Sequence, residues 1–297
     1  MRPIYFIGDS NVMIFSHLSV AAPDCFAVPF IGRSLYCPQL SAADVIDADG
    51  RFDERFAQVL AGERLVVSGK DGKQYAPHRL SYASEHALSV GELLGSSTLD
   101  LDTLTSPPLV LMVGNLDLAW ILAELGPNTD FFLNDPRYDG SVFEERAEVA
   151  LVPGSLVREM VRSRLARLGT ALRTLVDLGF EHVFVHSVTP PTSNDARYYR
   201  WRQIVTQASV RSKVVLLLNA RLREIAHESG ATFLDMWDAT AERCVLAAKY
   251  VLDGDHFNKA AALLTFERLL NDLANRAPEP TPVTEHPLLS VLGIGQA

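Results

Sequence analysis

Residues Pro3-Ile4-Tyr5-Phe6-Ile7 run directly into Gly8-Asp9-Ser10-Asn11, and this segment is the strongest indication of the fold. A short apolar run that breaks into glycine and polar residues is typical of a buried strand ending in a tight turn. Similar apolar runs predict further strands at 25–30, 109–113, 182–188 and 231–235. The fold is therefore expected to begin at residue 3 with a central strand.

Helical patterns alternate with these strands. Apolar residues recur at helical spacing from Leu156 to Leu178, with arginines largely on the opposite side. A second helix is predicted within 196–228 and a last one over about 259–274. Because apolar strands that alternate with helices favour a parallel sheet covered on both faces, we predict an α/β fold. Its form would be one doubly wound, flavodoxin-like domain over residues 1–275.

Two segments depart from this alternation and are predicted to be insertions, at about 48–107 and 126–153. Within the first, the apolar runs 64–68 and 74–76 flank a Lys-Asp-Gly-Lys segment, which indicates a hairpin. Such insertions are either loops over a ligand site or peripheral additions, and the pattern leaves both open. The Pro-rich tail, 276–297, is expected to pack as an arm or to be loose.

Composition excludes several classes of protein. The chain has 297 residues, of which 48% are hydrophobic, and 27 Lys+Arg against 36 Asp+Glu give a net charge of −9. This balance argues against nucleic-acid binding, which needs a basic face. No apolar run approaches the roughly 20 residues that span a bilayer. Three widely spaced cysteines, Cys25, Cys37 and Cys244, predict neither a disulfide framework nor a cysteine zinc site. With no secretory signal pattern, a cytoplasmic protein is expected.

Ser10 is the first candidate for chemistry. A serine at the carboxyl end of the first strand lies where open α/β sheets bind ligands. The N–H groups of a helix that starts there could stabilise an oxyanion. The alternative is that Ser10 serves only as a helix N-cap.

The second candidate is the pair Asp253 and His256, just before the last predicted helix. Their spacing of three residues lets one turn of chain place both side chains on the same side. A neutral imidazole activates a serine hydroxyl when a carboxylate fixes its tautomer. The alternative is a solvated Asp-Gly turn. Asp255, which adjoins His256, is expected to point elsewhere.

Together, the Gly-Asp-Ser block ending at Ser10 and the Asp253-x-x-His256 block resemble the SGNH/GDSL hydrolase family over about residues 3–274. Each block is short, and their order and distance from the termini carry the resemblance. It implies that Ser10 is the nucleophile, His256 its base and Asp253 the group that orients the base.

The resemblance also implies an oxyanion hole formed by the Ser10 N–H, the Gly32 N–H and the Asn115 side-chain amide. Gly32 is alternatively a turn glycine at a strand end. Asn115 stands one place earlier than in the family's usual Gly-x-Asn-Asp block, where this chain has Leu116. Members from glycan-related contexts show a Gly-Glu-x-Asp variant that this chain matches better. Either Asn115 donates, or the hole has two backbone donors.

Several other residues receive supporting or structural roles. Asp9 is expected to support the site, and Asp117 to hold its loop by hydrogen bonds. The Thr-Pro-Pro-Thr segment at 189–192 is expected to line the pocket. The mixed aromatic and basic stretch 197–202 is interpreted as an ordinary amphipathic helix start in preference to a binding surface. The histidines at 17, 182 and 186 are interpreted as structural.

The sequence thus favours a serine esterase that acts on small acyl esters, with O-acetyl groups on a sugar or glycan as the best class. The expected partner is a small-molecule or glycan ester, without cofactor, metal, nucleic acid or membrane span. One alternative is an O-acyltransferase with the same three residues, and another is a non-catalytic binding or scaffold protein. A metallophosphoesterase is the weakest alternative, because no His-x-His pair occurs.

Overall fold

A computed structural model describes residues 2–16, 18–21, 29–37, 39–54, 56–57, 67–68, 74–75, 107–144, 148–177 and 180–276. Six strands form the central sheet: β1 (Arg2–Gly8), β2 (Ser19–Val20), β3 (Phe30–Tyr36), β4 (Leu109–Met112), β5 (Val183–His186) and β6 (Thr232–Leu234). Helices cover both faces, which confirms the predicted α/β class.

The strand order across the sheet is β6-β5-β4-β1-β3-β2. All neighbours pair in parallel except β2, which runs antiparallel to β3 at the edge. The chain places β3 on one side of β1 and then β4 on the other, so the winding direction reverses between β1 and β4. Open α/β sheets bind ligands in the crevice at such a reversal, outside the carboxyl ends of the strands. Here that crevice lies beyond Gly8 and Met112, which pair at the ends of β1 and β4.

The named helices are α1 (Asn115–Leu125), α2 (Gly154–Arg164), α3 (Leu168–Asp177), α4 (Asp195–Arg202), α5 (Ala208–Glu228), α6 (Trp237–Thr240) and α7 (Lys259–Arg276). Among the residues that the structure describes, 3₁₀ helices occupy Ser10–Phe15, Gly140–Val142 and Ala248–Tyr250. Within the ranges given above, no helix is long and apolar enough to cross a membrane.

Three short ladders lie outside the central sheet. Thr129–Phe131 pairs in parallel with Ala150–Val152, and Ala241–Glu242 pairs antiparallel with Val245–Leu246. Val67–Ser68 pairs antiparallel with Gln74–Tyr75, which confirms the predicted hairpin. Most of the predicted insertion 48–107 lies outside the described residues, as do 277–297 of the tail.

The core has two layers because β1 alternates its side chains across the sheet. Tyr5 and Ile7 join a large cluster with the helices α1, α2, α3 and α5. Ile4 and Phe6 join a second cluster with α7 and the 3₁₀ helix after β1. On this second face Phe6 stacks on Phe15 with ring centroids 3.9 Å apart. The segment that follows β1 is thereby held against the sheet.

Three predicted elements differ from the observed ones. The helix predicted from 156 to 178 is two helices, α2 and α3, and the apolar pattern continues across the break because Leu165 and Leu168 are both buried. The helix predicted within 196–228 is likewise divided into α4 and α5, since Gln203 adopts a φ of 58° in the left-handed region. The strand predicted over 25–30 starts only at Phe30, and residues 22–28 lie outside the described ranges.

His186, at the end of β5, is a buried imidazole in the second core layer. Its Nδ1 donates to the Ser187 carbonyl at 2.6 Å, its Nε2 lies 3.2 Å from the Thr265 hydroxyl, and its ring stacks on Phe257. Burial lowers the pKa of His186 to about 4. The folded protein therefore keeps this histidine neutral, in agreement with its structural interpretation.

This histidine predicts how stability depends on pH. Between pH 6.5 and about 4 the unfolded chain binds a proton at position 186 that the folded chain does not. The free energy of unfolding therefore falls as the pH drops through this window, by up to about 3 kcal/mol from this group. Urea unfolding at pH 7.0 and 4.5 measures the loss, which should be smaller in His186→Gln. The control His227→Gln, at an exposed histidine of α5, should retain it; an unchanged loss in His186→Gln would contradict the assignment.

Candidate active site

Ser10 is the first residue of the 3₁₀ helix that follows β1. The N-cap of that helix is Asp9, whose carboxylate accepts the Asn11 backbone N–H at 2.9 Å and its side-chain amide at 3.1 Å. The N-cap alternative for Ser10 is therefore wrong. Because Asp9 fills that role, the Ser10 hydroxyl faces the crevice. The Ser10 N–H opens the helix and has no acceptor within it.

The structure brings Ser10, His256 and Asp253 into one line of hydrogen bonds. The Ser10 Oγ lies 2.7 Å from His256 Nε2. The His256 Nδ1 lies 2.9 Å and 3.0 Å from the two carboxylate oxygens of Asp253. A carboxylate can only accept, so Nδ1 carries the proton and Nε2 is left free to accept from the serine hydroxyl. This is the tautomer that a general base needs.

The turn from Asp253 to His256 is closed by the Asp253 carboxylate. Its Oδ1 accepts the backbone N–H groups of Asp255 and His256, both at 2.8 Å. Burial alone would raise the pKa of Asp253, but these two bonds and the imidazole outweigh it and hold the pKa below its ordinary value. Asp253 therefore stays ionised, and its carboxylate fixes the orientation of the imidazole ring.

Asn115 opens α1 at the carboxyl end of β4. The preceding Gly114 has a φ of 110°, and a Cβ there would lie 2.5 Å from Val188 Cγ2, so no other residue fits without strain. This turn places Asn115 beside His256 in the lining of one recess. Asn115 thus lines the recess next to His256, although the motif has it one place early.

Gly32 lies elsewhere. It is inside β3, paired with Ile4 and four residues before the strand ends. Its N–H donates to the Leu18 carbonyl at 2.8 Å. Gly32 therefore cannot donate to an oxyanion beside Ser10, and its assignment to the oxyanion hole is wrong. A Cβ at this position would lie 2.3 Å from the Phe15 carbonyl, so close packing explains the glycine.

A recess of about 20 Å³ adjoins His256, which is room for about one water molecule or methyl group. Its walls include Leu118, Leu246 and the segment 189–192, in agreement with the expected role of that segment. The buried Arg211 holds the segment by donating to the Thr192 carbonyl at 2.7 Å. The recess is therefore built from residues that α5 keeps in place.

Helix α4 contributes one face to the site, and the amphipathic-helix interpretation of this segment missed it. Arg197, Tyr198, Trp201 and Arg202 share that face at helical spacing. The Trp201 ring meets the His256 ring edge-on at 5.8 Å, although it is 52% exposed. A Cβ on Gly254 would lie 2.5 Å from Trp201 Cδ1, so the turn 253–256 packs directly on the helix. In the sequence, this shared face was indicated by the spacing of the aromatic and basic residues at positions i, i+1, i+4 and i+5.

Asp117 is fully buried and accepts the Ala42 N–H at 2.7 Å, with Arg164 Nε 3.6 Å away. Burial raises the pKa of Asp117 to about 6, against the opposing effects of Ala42 and Arg164. It ties α1 to the segment that follows β3. Asp117 thus holds a loop by a hydrogen bond, as predicted, but that loop is the segment around Ala42 and not the loop that precedes α1.

Of the other histidines, His182 is partly buried near the start of β5, and burial lowers its pKa. His17 lies outside the described residues. Within the part of the chain that the structure describes, no three or more His, Cys, Asp or Glu residues are grouped so as to hold a metal ion. Cys37 and Cys244 are buried cysteines that form no disulfide in the part of the chain described.

Solved structures with a similar chain path include a GDSL-like lipase from Bacteroides thetaiotaomicron, with 14% identity, TM-score 0.44, and coverage of 93% of this chain and 88% of that one. A lipase/acylhydrolase from Enterococcus faecalis has 12% identity and a TM-score of 0.37, and the match covers 95% of this chain and 100% of that one. A phospholipase A1 from Streptomyces albidoflavus has 13% identity and a TM-score of 0.34, and the match covers 91% of this chain and 98% of that one. No family model and no curated protein matches the chain.

Proposed function

We propose that this protein is a serine ester hydrolase of the SGNH type, with Ser10 as nucleophile, His256 as base and Asp253 as the orienting carboxylate. The observation that carries the proposal is the continuous set of hydrogen bonds, 2.7 Å from Ser10 to His256 and 2.9 Å from His256 to Asp253. A core fold does not need these three side chains aligned at a strand terminus. The alignment is the arrangement that activates a serine hydroxyl.

In the proposed reaction the Ser10 Oγ attacks the ester carbonyl carbon while its proton passes to His256 Nε2. The tetrahedral oxyanion accepts hydrogen bonds from the Ser10 N–H and the Asn115 amide. His256 returns the proton to the departing alcohol, which leaves an acyl ester on Ser10. His256 then takes a proton from a water molecule as that water attacks the acyl carbon, and returns this proton to Ser10 Oγ as the bond between Ser10 and the acyl carbon breaks and the acid is released. Asp253 stabilises the imidazolium both while the acyl ester forms and while it is hydrolysed.

The small recess beside His256 favours short acyl groups. Its volume of about 20 Å³ is room for the methyl of an acetyl group and little more, and we propose that the acyl methyl enters it. O-acetyl esters of a sugar or glycan are the substrate class we propose, and the exposed Trp201 beside His256 offers a flat face to such an alcohol. Transfer of the acyl group to another hydroxyl would use the same intermediate.

A fluorophosphonate probe and p-nitrophenyl esters of increasing length test the proposal. We expect covalent labelling, with hydrolysis of the acetate fastest and the rate unchanged by EDTA, because the chain's own residues carry every proposed proton transfer. Absence of both labelling and turnover would favour the non-catalytic binding protein. Phosphatase activity that EDTA abolishes would favour the metal-dependent alternative.

Leu246→Ala tests the recess as the acyl pocket. Leu246 is 6% exposed and forms one wall, so its truncation should admit two further methylenes. We expect the ratio of kcat/KM for butyrate over acetate to rise at least about 10-fold, since one methylene in a pocket is worth about 1–3 kcal/mol. Leu252→Ala, at a 55% exposed leucine beside the turn, is the matched control and should leave the ratio unchanged. An unchanged ratio in a folded Leu246→Ala variant would place the acyl group elsewhere.

A further inference from the structure

Asp255 lies in the turn between Asp253 and His256, yet its carboxylate does not face the imidazole. It accepts a hydrogen bond from the Arg202 guanidinium on α4. Both side chains are largely buried, with 12% of Asp255 and 18% of Arg202 exposed. A buried ion pair of this kind costs desolvation, and removing one partner leaves an uncompensated charge.

The same guanidinium acts on a second acid, Asp9, which precedes the nucleophile. Asp9 is 4% exposed, and its Oδ2 has no hydrogen-bond partner among the described residues. Burial raises the pKa of Asp9; hydrogen bonds from Asn11 and the charge of Arg202 oppose this rise, while Asp255 adds to it. Arg202 is therefore hydrogen-bonded to the acid beside His256, and its charge also opposes the raised pKa of the acid beside Ser10.

The turn is coupled both to the Asp253 carboxylate and to α4. The Asp255 backbone N–H donates to Asp253 at 2.8 Å, so any movement of residue 255 changes a bond that holds Asp253. On the opposite side, a Cβ on Gly254 would lie 2.6 Å from the Arg197 carbonyl, so the turn is pressed against α4. Two carboxylates two residues apart repel when nothing lies between them to compensate.

We propose that Arg202 is a positioning residue for the reaction of Ser10: by neutralising Asp255 it holds the turn 253–256 in the geometry that orients His256. This inference rests on the proposed function. The Arg202 guanidinium acts through its charge. In the hydrogen bonds described above it contacts neither Ser10 nor the imidazole of His256. Arg202 is thus distinct from the three residues that carry the chemistry.

The test is a charge cycle on the full chain, with p-nitrophenyl acetate as substrate. We expect Arg202→Met to lower kcat about 10- to 100-fold and to leave KM within about twofold, because only the orientation of the base changes. The double variant Arg202→Met with Asp255→Asn should recover kcat to within about fivefold of the wild type, since removing both members of the ion pair leaves no unpaired charge at residue 255. Arg200→Met, at an exposed arginine of the same helix, is the matched control and should behave like the wild type.

A second readout needs no turnover. In proton NMR, the His256 Nδ1–H bonded to Asp253 should give a downfield resonance, identified by its loss in His256→Asn. We expect that resonance to broaden or vanish in Arg202→Met and to return in the double variant. Wild-type kcat in Arg202→Met, or a double variant as slow as the single one, would overturn the inference. A wild-type protein that hydrolyses no ester, yet shows the predicted NMR changes, would refute the proposed function and leave the positioning role standing.

Discussion

Ser10→Ala is expected to lower kcat for ester hydrolysis by about 10⁶-fold, the scale seen when the nucleophile of a serine hydrolase is removed. The reason is that Ser10 Oγ is the only hydroxyl the structure places in hydrogen-bond contact with His256 Nε2 among the described residues, at 2.7 Å. The side chain is partly exposed, so the free energy of unfolding should change by no more than about 1 kcal/mol. Turnover of p-nitrophenyl acetate, fluorophosphonate labelling and thermal unfolding measure these effects together.

Ser19→Ala is the matched control, since Ser19 is an exposed serine on the edge strand β2. It should retain full labelling and turnover. Continued labelling of Ser10→Ala at the wild-type rate would show that another residue is the nucleophile. Loss of labelling together with loss of the thermal transition would instead assign Ser10 a role in folding, against the proposal.

Asp253→Asn is expected to lower kcat by about 10⁴-fold, as the equivalent change does in a serine protease. An asparagine Oδ1 can still accept the backbone N–H groups of Asp255 and His256, so the turn should form. Its amide nitrogen would then donate toward His256 Nδ1, which must become an acceptor. The proton moves to Nε2, and the ring can no longer accept one from Ser10.

Asp238→Asn, at an exposed aspartate of α6, is the control for this change and should be neutral. Kinetics at saturating ester measures the effect of the changed tautomer on kcat, and urea unfolding shows whether the substitution also destabilises the fold. Retention of more than a tenth of the wild-type kcat in a folded Asp253→Asn protein would contradict the assigned role of the carboxylate.

The sequence predicted the parts of the site that depend on local order along the chain. The strand over 3–7 and its Gly-Asp-Ser exit were readable because a buried central strand is a continuous apolar run. The turn that holds Asp253 and His256 could be predicted because the carboxylate that accepts its hydrogen bonds and the backbone N–H groups that donate them lie within four residues.

What the sequence could not provide was register and long-range packing. Gly32 was assigned to a strand end, but β3 begins only at Phe30, so the glycine lies inside the strand with its N–H already bonded. Local pattern gives no register between strands. The face of α4 was missed for a related reason: Arg202 meets an acid 53 residues away, and nothing near it in sequence indicates that partner.

Asn115 shows how a motif can be displaced without leaving the site. The family spacing counts residues from the glycine, whereas the fold positions the side chain by where α1 begins. Gly114, in its left-handed conformation, directly precedes α1, so Asn115 is the first residue of the helix and lies in the lining of the recess. Asn115 therefore remains our proposed third donor.

The proposed nucleophile and its proposed base are 246 residues apart in the chain. During synthesis on the ribosome, β1 and Ser10 emerge long before the turn that carries His256. In the proposed mechanism Ser10 has no base until that turn forms, so hydrolytic competence would arrive only when the elements around the turn join the sheet. We expect a fragment ending before residue 253 to be inert as a hydrolase, because it would lack both the proposed base and the proposed carboxylate.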